Sequence, residues 1–313
     1  MGKMRLTADI GNTVEGFCLV KSAAARTDVK GSEYLDLVLM DSEGECVAKL
    51  WNYSRIYHGE YAPDDIVKVR GSVQIWKDNE QFKIDRIRHA TEADQVDMSL
   101  LIPCAPVDPR EAFEQLKAIA GSFRDEDLKR LTLHLLRENE EELLLFPAGV
   151  KLHHATRGGL MHHTLSVVKL AQKAAELYPW LNSDLLLSGA ILHDIGKLSE
   201  LETGSLGLAS AYTAEGQLLG HISIGVSMIA QAAEVTMIPR EKAMLVEHMI
   251  LSHHGNPEYG SPKMPMLPEA EVLSVCDLLD SRLYEMRTAL DGVAPGGFTE
   301  RLWALDNRQI YKE

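Results

Sequence analysis

Asp184-Leu185-Leu186-Leu187-Ser188-Gly189-Ala190-Ile191-Leu192-His193-Asp194-Ile195-Gly196-Lys197 is the stretch on which the reading turns. Asn182-Ser183-Asp184 supplies a cap and the residues after it are almost wholly apolar, which predicts a helix running to Asp194. Leu186 and Ala190 share a face with His193, and Leu187 and Ile191 share one with Asp194. Both polar groups therefore project toward the interior edge of an apolar helix. A carboxylate buried there without a partner costs several kcal/mol. A divalent cation would satisfy the imidazole and the carboxylate together.

Three further patterns share this chemistry: Gly158-Gly159-Leu160-Met161-His162-His163-Thr164, Leu251-Ser252-His253-His254-Gly255 and Val275-Cys276-Asp277-Leu278-Leu279-Asp280, with His221 alone between them. Helical spacing separates the paired histidines. His163 aligns with Val167, Leu170 and Ala174 and is expected to point inward, whereas His162 aligns with Ser166, Lys169 and Lys173 and is expected in solvent. His253 follows Val246, Met249 and Ile250 on an apolar face, and Asp277 follows Ala270, Leu273 and Ser274. Nine of the twelve histidines fall between His153 and His254. Imidazole is the commonest side-chain metal ligand.

His163, His193, Asp194 and Asp277 are expected to fill one metal site, with Asp194 bridging to a second ion held by His221, His253 and His254. Imidazole and carboxylate donors suit Mn, Fe, Co, Ni or Zn. Asp194 and Lys197 are the candidate catalytic groups: two ions clamp an in-line displacement at phosphorus, and Lys197 would neutralise phosphate charge. The competing reading of Lys197 is a helix C-terminal lysine favoured by the macrodipole. His58, His89, His134 and His248 are read as hydrogen-bonded core histidines, and His153 and His154, just before the helix at Gly159, as surface loop in preference to a substrate-facing role.

The 313 residues suggest about two domains. The net charge of −14 is uneven: residues 1–90 hold 13 Lys+Arg against 14 Asp+Glu, and the rest holds 19 against 32. The four cysteines, Cys18, Cys46, Cys104 and Cys276, form no CxxC pair and are expected to be reduced. With no apolar leader and no stretch approaching the roughly 20 apolar residues of a membrane span, a cytoplasmic protein without membrane association is expected.

Residues 10–90 read as β structure, in short runs at Val14–Val20, Tyr34–Met40, Cys46–Trp51, Ile66–Ser72 and Phe82–His89. Five short strands suit an OB-fold barrel. Aromatic and basic residues interleave there, and Trp51, Trp76, Phe82, Lys83 and Arg86 are candidates for a single-strand interface by stacking and phosphate contact. The organisation expected is a barrel over 1–90, a linker over 91–110, connecting helices over 111–150, a helical metal domain over 151–292 and a tail over 293–313.

The chain resembles the YhaM-type 3′→5′ exoribonucleases, which join an N-terminal all-β OB-fold to an all-α HD-type phosphohydrolase domain. The resemblance is carried by Ala48–Trp51, Gly159-Leu160 with His163, Ile191–Lys197, Glu215–Ile224, Leu251–Gly255, Gly260-Ser261-Pro262-Lys263, and the tail residues Asn307-Arg308 and Tyr311-Lys312. It implies removal of nucleotides from the 3′ end of single-stranded RNA, or of single-stranded DNA, as nucleoside 5′-monophosphates, with manganese or cobalt preferred. Ser261 and Lys263 then become candidates for contact with the substrate end, against a plain surface loop. The Val73–Glu80 hairpin is less basic than such a grip on RNA would suggest. Two alternatives remain open: an HD-type nucleotide or cyclic-dinucleotide phosphohydrolase with the barrel as a regulatory module, and a non-enzymatic single-strand binder. The intact ligand set argues against the second. A homo-oligomer is compatible with the large apolar helical domain.

Overall fold

A computed structural model describes Met4 and residues 11–76, 79–150 and 154–313. The chain forms two compact units, Met1–Cys104 and Ala105–Glu313.

In the first unit, strands β1 (Thr13–Thr27), β2 (Glu33–Met40), β3 (Glu45–Trp51), β4 (Ile66–Trp76) and β5 (Asn79–His89) close into a barrel in the order β1-β2-β3-β5-β4, with a short helix α1 (Arg55–His58) after β3. The β3–β5 pairing is parallel and the others are antiparallel, with β1 and β4 closing the ring. This is the OB-fold arrangement. Alternation fills the interior: Leu35, Leu37 and Leu39 point in from β2, Val67, Val69 and Val73 from β4, and Phe82 and Ile84 from β5. A bulge at Asp85 of β5, opposite Arg70 and Gly71 of β4, bends the ladder there. A Cβ on Gly71 would lie 2.1 Å from the Lys83 carbonyl oxygen, so only glycine permits this closure.

β1 extends to Thr27, well beyond the expected Val20. Beyond a bulge at Lys21, Ser22–Thr27 pairs with β2 but is mostly exposed, so no alternation marks it; Arg26–Asp36 and Lys21–Glu45 ion pairs support it instead. Residues 91–104, read from sequence as linker, belong to the first unit. They carry two 3-10 turns, Glu92–Asp94 and Met98–Leu100, and bury Leu101 and Ile102.

The second unit is helical: α2 (Pro109–Gly121), α3 (Glu126–Glu138), α4 (Glu140–Leu145), α5 (Gly159–Leu177), α6 (Ser183–Leu192), α7 (Lys197–Glu200), α8 (Ala214–Val235), α9 (Arg240–Ser252) and α10 (Pro268–Asp291). Asp108, Asp125, Asn182 and Thr213 accept backbone N–H bonds as N-caps of α2, α3, α6 and α8. Every residue of α6 from Leu185 to Leu192 is buried, which makes it the central helix, packed by α3, α5, α9 and α10. Full burial of a leucine such as Leu186 contributes about 2 kcal/mol. A small hairpin of β6 (Leu201–Thr203) and β7 (Ala209–Tyr212) interrupts the helices, too short to announce itself by alternation.

α8 corrects one expectation, because by length and composition it is apolar enough to cross a membrane. Here it is kinked at Gly220 and packs against α7 and α9. The C-terminal segment folds back on itself through the pairings Phe298–Tyr311 and Leu302–Arg308, around a 3-10 turn at Trp303–Leu305.

Candidate metal centre

Four helix ends, the kink inside α8 and the middle of α10 bring the chemical groups together. α5 opens at Gly158, whose φ of 71° is left-handed, and at Gly159, where a Cβ would lie 1.9 Å from the His154 carbonyl oxygen. One turn later, His163 is wholly buried. Its Nδ1 lies 2.7 Å from Asp280 Oδ2 and its Nε2 lies 3.1 Å from Asp277 Oδ1. Asp277 and Asp280 are three residues apart on α10, so one helix face grips both sides of one ring.

α6 delivers His193 and Asp194 at its C-terminus. His193 Nδ1 donates to the Ala190 carbonyl at 2.9 Å, which leaves its Nε2 3.2 Å from His163 Nε2 and 3.3 Å from Asp194 Oδ2. α9 ends the same way: His253 Nδ1 donates to the Ile250 carbonyl at 2.6 Å, and its Nε2 faces Asp194 Oδ1 at 3.8 Å. His221 follows the Gly220 kink, where φ is 70° and ψ 155°. Glu200 Oε1 accepts from its backbone N–H at 2.9 Å and lies 3.0 Å from its Nδ1, leaving Nε2 3.6 Å from Asp194 Oδ1. α7 and α8 meet closely enough for this because Gly196 and Gly225 lack side chains: a Cβ on Gly196 would lie 2.0 Å from the His221 carbonyl oxygen. His254 packs beside His221 and His253, with ring centroids 5.1 and 4.3 Å away.

One rule governs these imidazoles. Each of His163, His193, His221 and His253 has its Nδ1 on a carboxylate or a carbonyl, so its Nε2 lone pair is turned to the centre. That outer support is characteristic of metal-ligating histidines. A divalent cation fits the donor set on three counts. His163 and His193 bring two Nε2 atoms within 3.2 Å, which requires a proton or a cation between them. Among the described residues, Asp194 Oδ1, His221 Nε2 and His253 Nε2 are buried with no hydrogen-bond partner, each an expensive orphan. His163 Nε2 lies 3.1–3.5 Å from His193 Nε2, Asp194 Oδ2 and Asp277 Oδ1, and His193 Nε2 lies 3.3 Å from Asp194 Oδ2, spacings that suit one ion with bonds of about 2.1 Å.

The charges agree with this. Burial opposes ionisation of Asp194, but Lys197 and His193 overcome it and hold the carboxyl well below its usual range. Asp277 is held low in the same way, chiefly by His163 against burial. Burial opposes a proton on His163, yet Asp277 and Asp280 outweigh it and lift the ring to about 9. Burial pushes His253 well below the ordinary imidazole range, so it stays neutral.

Lys197 opens α7 and places Nζ 2.7 Å from Asp194 Oδ2. Lys197 is the first of the four residues of α7, and the ion pair to Asp194 is the contact that its ammonium makes in the cluster. A cavity of about 440 Å³ opens over the cluster. Asp194, Lys197, His253, His254 and Asp277 line its inner part, and Leu278, Ser281, Arg282 and the turn 303–306 line its walls.

Several expected roles are corrected. Phe82 cannot stack on a base, because it is fully buried in the barrel; the parity of β5 sends Phe82 and Ile84 inward and exposes Lys83, and the register shift at Asp85 leaves Arg86 exposed as well. Ser261 cannot reach a substrate: it is fully buried, and its Oγ accepts from the His254 N–H at 3.1 Å, fixing the loop behind that ring. Lys263 is exposed. His162 is not in solvent but half-buried against His154, with ring centroids 4.6 Å apart. His154 is not surface loop either: it is buried, its Nε2 lies 3.0 Å from Asp280 Oδ2, and burial pushes its pKa down to about 4. His153, Lys77, Asp78 and the side chain of Trp76 lie outside the described residues.

On the barrel, Trp51 is 40% exposed and packs on Tyr34, with Lys49 Nζ 4.7 Å from the Tyr34 ring centroid. Arg86 shares a second cavity of about 420 Å³ with Lys68, Arg70, Arg88 and the acidic Glu15 and Asp85. Sequence reasoning missed Asp280, Glu200, Arg282 and Trp303. Only Asp280 left a signal, its three-residue spacing from Asp277.

The fold and the cluster together define an HD-domain protein carrying an OB-fold barrel, and residues 160–282 match the HD domain family. The chain is 40% identical over 312 residues to the 3′-5′ exoribonuclease YhaM of Bacillus licheniformis, covering 100% of this chain and 98% of that protein. It is 39% identical to the 3′-5′ exoribonuclease YhaM of Bacillus subtilis over the same span. The chain belongs to the YhaM family. Among solved structures, the second OB-fold domain of replication protein A from Methanococcus maripaludis is similar at 21% identity and a TM-score of 0.22, covering 26% of this chain and 85% of that one.

Proposed function

We propose that this chain is a metal-dependent 3′→5′ exoribonuclease that hydrolyses single-stranded RNA, with single-stranded DNA as a second substrate, and releases nucleoside 5′-monophosphates. The observation that carries the reading is the set of four imidazoles whose Nδ1 atoms are tied down and whose Nε2 atoms converge on Asp194 and Asp277. Full-length identity to two YhaM exoribonucleases supports the substrate.

His163, His193, Asp194 and Asp277 would hold one divalent ion, and Asp194 with His221, His253 and His254 a second. Mn²⁺ is the first candidate, with Co²⁺, Fe²⁺, Ni²⁺ or Zn²⁺ as alternatives for this donor set. When bound, such ions supply Lewis acidity at the phosphoryl oxygens and acidify water. The residues do the rest. Asp194 directs one carboxylate oxygen to each half of the cluster. Lys197 keeps that carboxylate ionised and places a cation at the inner end of the cavity, where phosphate charge develops. Glu200 and Asp280 hold His221 and His163 in register. Trp51 offers an exposed ring for stacking, and Lys83, Arg86 and Lys263 offer cations for phosphates. Cys18, Cys46, Cys104 and Cys276, scattered and without a CxxC pair, support a reducing, cytoplasmic setting.

The test is a time course on 5′-labelled single-stranded RNA with Mn²⁺, beside Asp194→Asn. A ladder shrinking from the 3′ end with the wild type and absent with the variant is expected. Failure to shorten RNA with Mn²⁺, Co²⁺, Fe²⁺, Ni²⁺ or Zn²⁺, together with turnover of a cyclic dinucleotide or mononucleotide, would favour the small-molecule phosphohydrolase instead.

A further inference from the structure

The C-terminal segment contributes an element to the metal cavity that the ligand chemistry does not require. Its 3-10 turn, Trp303–Leu305, and the following Asp306 form part of the cavity wall. Leu305 is fully buried and anchors the turn, whereas the neighbouring Trp303 is 73% exposed. The largest apolar side chain is thus held beside the cavity instead of being spent in the core.

The backbone there is fixed tightly. Asp306 and Asn307 both adopt left-handed conformations, with φ of 58° and 56°, which their short polar side chains tolerate better than other non-glycine residues and the surrounding contacts hold in place. The enforcing contacts are visible. Asp306 Oδ2 lies 3.1 Å from an Arg282 guanidinium nitrogen on α10 and 3.7 Å from one of Arg308. The Asn307 N–H donates to the Leu302 carbonyl at 2.9 Å, and Arg308 Nε donates to the Leu305 carbonyl at 3.0 Å. A rigid aromatic side chain loses little entropy when it binds.

We propose that Trp303 is a base-binding residue: its indole stacks on the terminal nucleobase while the phosphate lies over the histidine–aspartate cluster. This rests on the nuclease reading above. The cavity of about 440 Å³ falls within the range of small-molecule sites, and its lining divides between the ligand cluster with the Lys197 cation and a wall where Trp303, Leu278, Ala304 and Leu305 stand among Arg282, Glu285 and Asp306. A nucleotide has the same division, a phosphate at one end and a flat ring at the other. Indole stacking does not discriminate among bases, because every base offers a π face. The substrate class is therefore any nucleotide end, without base preference.

The test is equilibrium binding to the full chain with Mn²⁺ by calorimetry, comparing adenosine 5′-monophosphate with ribose 5-phosphate. In the wild type the base should improve affinity roughly 5- to 150-fold. Trp303→Ala should reduce that ratio to about one while leaving ribose 5-phosphate affinity unchanged, and Trp303→Phe should keep most of it. A ratio of one in the wild type, or a ratio undiminished in Trp303→Ala, would overturn the proposal. So would equal loss of both ligands in Trp303→Ala, which would mark the turn as a structural prop. Binding reads the stacking without turnover, so a failure of RNA hydrolysis remains distinguishable from a failure of this inference.

Discussion

Asp280 Oδ2 lies 2.7 Å from His163 Nδ1, on the opposite side of the ring from Asp277. Asp280 also lies 3.0 Å from His154 Nε2, so one carboxylate orients a ring of the cluster and ties it to a buried neighbour. It is a positioning residue. Asp280→Asn should lower divalent-metal affinity about 10- to 100-fold, as loss of an outer carboxylate does elsewhere. RNA hydrolysis followed against Mn²⁺ concentration checks this: saturating metal should recover most of the rate. A loss that no Mn²⁺ concentration repairs would assign Asp280 a different role.

The close approach of α7 to α8 predicts the effect of one methyl group. In Gly196→Ala the new Cβ would meet backbone, 2.0 Å from the His221 carbonyl oxygen and 2.7 Å from the Gly225 nitrogen. The expected cost is about 3 kcal/mol. Gly121→Ala, at the end of α2 with open space around it, should stabilise by about 0.5 kcal/mol. Urea unfolding of the two variants should shift the midpoint in opposite directions.

Two adjacent features of β5 separate core from interface. Phe82→Ala should cost about 3–5 kcal/mol of stability, because the ring is fully buried in the barrel. Arg86→Ala should leave stability nearly unchanged, since the side chain is exposed. It should weaken RNA binding and reduce the slope of log affinity on log salt by about 0.7, the increment for neutralising one phosphate of a single strand. Binding titrations at several salt concentrations measure that slope, and an unaltered slope would remove Arg86 from the interface.

The thiols provide a check on burial. Burial, with Asp41 and Cys46 adding to it, pushes Cys18 up to about 12, so it carries no thiolate at neutral pH. At pH 8 the native protein should react slowly at Cys18, Cys46 and Cys276, which are buried, and faster at Cys104, which is partly exposed. Alkylation followed by mass spectrometry gives the order; rapid labelling of Cys18 would contradict the closed barrel.

What the sequence shows and hides follows from range. Barrel strands with strict alternation, such as Leu35–Leu39 of β2, are legible because burial follows parity. α6 is legible because its cap and its uninterrupted apolar run are both local. The inward face of His163 can be read from its spacing to Val167, because one helix stripe determines both. Phe82 was open to the same parity argument, and the aromatic-and-basic composition of the barrel obscured it. His154 sits before α5 without periodicity, and its burial arises only where α10 brings Asp280 and Tyr284 to it. Trp303 depends on the folded-back C-terminal segment and on Arg282, which pairs with Asp306 across 24 residues in a way that no local pattern encodes.

On the proposed function, RNA hydrolysis depends on cations held by the cluster around Asp194. The most direct measurement strips the purified protein with a chelator and returns Mn²⁺ in steps, recording bound metal and the rate of 3′-end shortening together. Both should rise in parallel for the wild type, and Asp194→Asn should show neither. Shortening that persists in the stripped protein, or that proceeds at the wild-type rate in Asp194→Asn, would contradict the account.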